Sequence, residues 1–182
     1  MDLIQLFDKN TLNLINVSSS YTPDPGSINV DIHNWYLKKD YFNNYHITFW
    51  DTTKIVNMLG LFQGRRLGQF NSLLLWNTRN VTNMSKLFNL RFEYNQPIHF
   101  ITDQVEDMSF CFRCCKKFNQ PIKFNTKNVK NMNFMFDECQ SFEQDIEHVK
   151  PEHDNIFRMF NNCKTQPQWY LDYQNKLNDE DM

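Results

Sequence analysis

The sequence predicts an α/β repeat fold, a solenoid of about five 24-residue strand–helix units with a short parallel sheet and a cap at each end. Three observations predict it. An aromatic-led pentapeptide returns at a fixed interval, several independent columns share that interval, and each copy divides into an alternating stretch and a stretch with helical spacing.

Residues 1–41 are the least regular and form the expected amino-terminal cap, with INVDIHNWY suited to a strand and Ser18 to Ser27 to a loop. The copies occupy residues 42–165. Their starts read FNSLL at Phe70, YNQPI at Tyr94, FNQPI at Phe118 and FEQDI at Phe142, each 24 residues after the last. The same interval carries Val81 to Val105 to Val129, Met84 to Met108 to Met132 to Ile156, and Phe88 to Phe112 to Phe136 to Phe160. An earlier copy from Phe42 fits if two residues are inserted before Trp50 and two after Phe62.

Within a copy, Ile122-Lys123-Phe124 alternates apolar, polar, apolar, the pattern of a short strand whose middle residue faces out. Val129, Met132, Met135 and Phe136 fall at i, i+3, i+6 and i+7, which suits one face of a short helix capped by Thr126 or Asn128. Stacked copies would then form a strand ladder backed by a row of helices. Asparagine or aspartate precedes the core methionine or isoleucine at Asn57, Asn83, Asp107, Asn131 and Asn155, where it can satisfy backbone groups of a buried turn. Residues 166–182 are the carboxyl-terminal cap: Trp169, Tyr170, Leu171 and Tyr173 cover the last copy, and the acidic tail NDEDM is expected to be disordered.

The run FNQPIKFNTKNVKNMNFMFDECQSF resembles the repeats of mycoplasma-type surface proteins, also met in giant viruses, and more distantly BspA-type leucine-rich repeats. The likeness covers about residues 42–165. It implies a leucine-rich-repeat-like solenoid and, in bacteria, a surface-exposed recognition role. The family supplies no catalytic residues to carry over. The start MDLIQLFDKN lacks the features of a secretory signal, and no cysteine precedes Cys111, so the expected location is intracellular, in host cytoplasm or a virion, as for a giant-virus-like member.

A formal charge of −2, from 19 basic and 21 acidic residues, gives no electrostatic reason for a nucleic-acid groove or an anionic membrane as partner. Cys111, Cys114, Cys115, Cys139 and Cys163 invite a zinc reading, but Cys115, Cys139 and Cys163 share one 24-residue column, so a structural thiol ladder is expected. His33, His46, His99, His148 and His153 pair with no nucleophile at a catalytic spacing; His148 and His153 read as polar replacements in core columns. The abundant phenylalanine and methionine read as core. No catalytic residue, metal site or cofactor is therefore nominated, and the chain is expected not to be an enzyme.

The expected function is non-enzymatic binding of a protein partner, with a structural role in a virion or other assembly as the alternative. Small-molecule, nucleic-acid and membrane partners are not expected. The contact surface is the outward middle position of successive strands, the concave row Phe49, Leu75, His99, Lys123 and Glu147.

Overall fold

The computed structural model describes residues 21–37, 46–64, 69–151 and 155–180. Regular elements among them are few: helix α1 (Ile28–Leu37), 3-10 turns at Ile47–Phe49 and Glu147–Val149, and helix α2 (Gln168–Glu180). Both α-helices lie outside residues 42–165. The expected strand over INVDIHNWY is instead α1. The Ser27 carbonyl accepts from the amides of Val30 and Asp31, an acidic side chain occupies the first turn, and Ile28 and Ile32 bury one face. At the other end Asn178–Glu180 of the expected disordered tail are helical, and residues 181–182 lie outside the described residues, as do Phe42 and the 41/42 cap boundary.

Turns occupy the segment expected to be helical in each copy. Backbone φ is positive at Lys86, Phe110, Phe134 and Arg158, and again four positions later at Leu90, Cys114, Glu138 and Asn162; the first copy uses Gly60 and Gly64 there. The Leu87 amide donates to the Met84 carbonyl at 3.2 Å and the Arg91 amide to Phe88 at 3.0 Å, closing turns around left-handed Lys86 and Leu90. Two causes act against the helix. The side chains of Asn57, Asn83, Asp107 and Asn131 each accept the amide two residues on, at 2.8–3.1 Å, diverting a group that a helix would need. A left-handed residue within so short a segment then breaks a helix that is marginal on length alone.

Alternate amides of each copy instead point to the next. Those of Met84, Lys86, Phe88 and Leu90 donate to the carbonyls of Asp107, Ser109, Cys111 and Arg113 at 2.8–2.9 Å, and the pattern recurs from Met108 and from Met132. Threonine hydroxyls add a second set of cross-links: Thr52, Thr78 and Thr102 donate to the carbonyls of Asn77, Ile101 and Asn125 at 2.8–3.0 Å. The hydroxyls of Thr78 and Thr102 also accept the amides of Ile101 and Asn125, so groups that could lengthen a strand ladder bond to side chains.

Among the described residues no strand forms. Parallel pairing is limited to isolated bridges joining Asn57 with Asn83, Asn83 with Asp107, Asp107 with Asn131, and Leu74 with Ile98. The expected leucine-rich-repeat-like solenoid, with strand–helix units, a parallel sheet and a row of helices, is therefore overturned. What the 24-residue sequence interval carries is a set of layered turns joined by hydrogen bonds.

Aromatic rings fill the space inside these turns. Phe62, Phe88, Phe112, Phe136 and Phe160 stack at centroid distances of 5.4–5.5 Å, and all are fully buried. A second stack, Phe70, Tyr94, Phe118 and Phe142, lies beside it at 5.9–6.3 Å spacing. Trp35 of α1 meets Phe70 edge-on, while Trp169 and Tyr170 of α2 meet Phe160 edge-on.

Candidate functional site

The row expected from sequence is distributed as follows. Phe49, Leu75 and His99 are half-buried, whereas Lys123 and Glu147 are exposed. Leu75 donates its amide to the Thr48 carbonyl at 3.1 Å. The Glu147 carboxylate accepts the Gln168 amide at 2.9 Å and so holds the start of α2, a structural task for a residue proposed as a contact.

A second row lies on the turns. Lys86, Phe110, Phe134 and Arg158 occupy equivalent left-handed positions, where the backbone directs each side chain away from the core. Phe110 and Phe134 are half-buried and stacked at 4.8 Å with an interplanar angle of 10°. Lys86 Nζ stands 5.7 Å from the centre of the Phe110 ring, and the Arg158 guanidinium 5.6 Å from that of Phe134. Phe157, 53 % exposed, meets Phe134 edge-on at 5.3 Å. The result is an aromatic pair with a cation over each end.

Sequence reasoning read the abundant phenylalanines as core in general and did not single out Phe110 or Phe134, which the structure leaves half-buried on the turns. The available signal was column composition. Gly60, Lys86, Phe110, Phe134 and Arg158 mix glycine, cations and aromatics at one position, whereas the stacked column Phe62, Phe88, Phe112, Phe136 and Phe160 keeps one residue type.

Beside this row lies a buried carboxylate. Asp137 has no exposed surface and accepts from Arg113 Nε at 3.0 Å, Asn161 Nδ2 at 2.8 Å and Arg158 Nη2 at 3.4 Å. Arg158 thus touches both the Phe134 ring and Asp137, which fixes its plane over the aromatic pair.

All cysteines are free. Cys115, Cys139 and Cys163 donate their thiols to the carbonyls of Phe88, Phe112 and Phe136 at 3.0–3.2 Å. Burial pushes the Cys115 and Cys139 thiols well up and Cys163 up to about 12, so they stay protonated and unreactive. Among the described residues no three His, Cys, Asp or Glu side chains converge as a metal site.

His46 Nδ1 lies 2.8 Å from the Thr48 hydroxyl, and burial lowers its pKa. His148 Nε2 lies 3.0 Å from the Ile122 carbonyl but its side chain is exposed, so it does not replace a core residue; His153 lies outside the described residues.

Comparison with known proteins gives a family without an assigned activity. The model described as "Mycoplasma protein of unknown function, DUF285" matches residues 30–122 and 99–176. The chain belongs to that family. The expected likeness to BspA-type leucine-rich repeats is corrected by the absence of strands among the described residues, and no finding supports a giant-virus-like or surface-protein assignment within the family. No curated protein and no solved structure matches the chain.

Proposed function

We propose that the chain is a non-enzymatic protein-binding module that contacts its partner through Lys86, Phe110, Phe134 and Arg158. One observation carries this reading: two bulky side chains sit at left-handed positions with their rings partly in water. That conformation costs an L-residue about 1–2 kcal/mol, and Gly60 shows that the first copy occupies the same place without the penalty. Neither ring fills the core in return. Aromatic and arginine side chains are the types most often found at the energetic centre of protein interfaces, and a rigid stacked pair loses little entropy on docking.

The row Phe49, Leu75 and His99 is the second candidate face, supported by its partly exposed apolar side chains. Among the described residues no helix is long and apolar enough to cross a membrane. Five free cysteines, none in a disulfide, fit a reducing compartment. The test is affinity capture with the full chain, comparing wild type, a Phe110→Ser/Phe134→Ser variant and a Phe49→Glu/Leu75→Glu variant. Loss of a specific partner in the first variant alone, with native circular dichroism, supports the turn row. Loss in the second alone moves the site to the other face, and an unchanged partner set in both overturns protein binding through either.

A further inference from the structure

Along the segments that carry the left-handed residues the cross-layer hydrogen bonds run one way, which leaves these segments complementary at the two ends. Just before them, the amides of Thr82, Glu106 and Lys130 donate the other way, to the carbonyls of Val56, Thr82 and Glu106. In every interior step, the amides at one set of positions donate to the carbonyls of the following copy: Met58, Gly60, Phe62 and Gly64 to Asn83, Ser85, Leu87 and Asn89, and finally Met132, Phe134, Phe136 and Glu138 to Asn155, Phe157, Met159 and Asn161. The first copy therefore ends in the carbonyls of Asn57, Leu59, Leu61 and Gln63, which receive no backbone amide among the described residues. In the last copy the amides of Ile156, Arg158, Phe160 and Asn162 likewise have no backbone acceptor there.

Side-chain chemistry changes at the same two ends. The column holding Leu59 continues as Ser85, Ser109, Asn133 and Phe157. Its interior members are polar, yet its first and last are large, apolar and 47 % and 53 % exposed. Beside Leu59, Val56 is 49 % exposed, where later copies place Thr82, Glu106 and Lys130. Helix α2 does not hide the far end of this column. It closes the half of the last layer that carries Phe160, through Trp169 and Tyr170, and leaves Asn155, Phe157 and Arg158 exposed.

We propose that the open halves of the two ends pair head to tail between copies of this chain. The amides of Ile156 and Arg158 donate to the carbonyls of Asn57 and Leu59 of the next copy, and Phe157 covers its Leu59 and Val56. The occupant is a second copy because, along these turn segments, one end presents donors and the other acceptors in the register the chain already uses internally, with apolar residues in matching columns. Pairing of this kind is heterologous, so it builds open chains and not closed dimers. An unpaired ladder edge is the usual template for such addition.

The experiment uses the full chain. Sedimentation velocity across a concentration series should show mass rising beyond a dimer, and Leu59→Lys/Phe157→Lys should abolish the rise while circular dichroism stays native. In a Cys114→Ser background, mixing a Leu59→Cys chain with a Phe157→Cys chain should give a mixed disulfide under mild oxidation. Equivalent positions in adjacent layers lie about 4.8 Å apart, within the range a disulfide spans. Each single variant alone should stay uncrosslinked. A chain that remains monomeric at about 1 mM by the dilution-insensitive mass, the same association in the Lys variant, or equal crosslinking of either single variant with itself would each overturn the proposal. Phe110→Ser leaves the Phe134–Phe157 contact in place and should leave self-association intact, which separates this result from failure of the partner-binding reading.

Discussion

Phe134 and Phe136 stand two residues apart in one layer and have opposite fates. Phe136 is fully buried between Phe112 and Phe160 at 5.5 and 5.4 Å, while Phe134 is half in water against Phe110 and Arg158. The same division runs through their neighbours. Asp137 is sealed inside and Glu138 is turned outward at φ 64°; Cys115 is sealed and Cys114 is partly exposed at φ 60°. Residue type does not sort these pairs, because each pair is chemically alike. The left-handed backbone does, since it points the side chain away from the layer interior.

The largest effect expected from this division is on the core stack. Phe136→Ala or Phe112→Ala should cost about 3–5 kcal/mol, as for other buried aromatic truncations, and should be read as a lowered denaturant midpoint. A loss under about 1 kcal/mol would mean that the stack is not what holds adjacent layers together.

Asp137→Ala should come next, at about 1–3 kcal/mol, because it strips the acceptor from Arg113 and Asn161. Both arginines are partly exposed and can rehydrate, which keeps the cost below that of breaking a fully buried pair. Glu138→Ala should stay within about 0.5 kcal/mol. Equal costs for the two would erase the distinction between inward and outward positions.

The thiols give a pH test. A cysteine whose folded pKa is raised contributes stability that is fully present below its unfolded pKa and is lost as pH rises through the folded value. For Cys163 that window runs from the ordinary 9.0 to about 12. Cys115 and Cys139 are shifted upward by burial as well. The protein should therefore lose stability progressively above about pH 9, and Cys115→Ala/Cys139→Ala/Cys163→Ala should flatten that alkaline limb. At pH 8 an alkylating reagent should modify Cys114 ahead of Cys115, as read by peptide mass spectrometry.

The smallest shift should follow Phe134→Gly. Relief of about 1–2 kcal/mol of left-handed strain opposes loss of about 0.5–1.5 kcal/mol of ring stacking. The thermal midpoint should barely move, whereas partner capture should fall. A drop comparable to that of Phe136→Ala would place Phe134 in the core and remove the basis for the proposed contact.

The sequence by itself determined which residues are equivalent. The 24-residue interval aligned Phe112 with Phe136, Cys115 with Cys139, and Asn83 with Asp107, and each aligned set does one job in the folded chain. FNQP is legible column by column. The phenylalanine stacks, Asn95 and Asn119 accept the amides of Asn119 and Glu143, and Gln120 and Gln144 donate to Asn95 and Asn119.

Only the tertiary structure decided what lies between those anchors. Spacing at i, i+3 and i+7 is shared by a helix face and by consecutive turns, so Val129, Met132 and Phe136 are buried either way and periodicity cannot separate the two. The choice rests on where the amides of Met132, Phe134 and Phe136 find acceptors, and those acceptors are carbonyls 23 residues further along the chain. A local reading window contains neither them nor the left-handed φ at Phe134 that they accompany. That is why the sequence, which reads phenylalanine as core in general, did not distinguish Phe134 from Phe136, and only the fold put the one on the surface and the other inside.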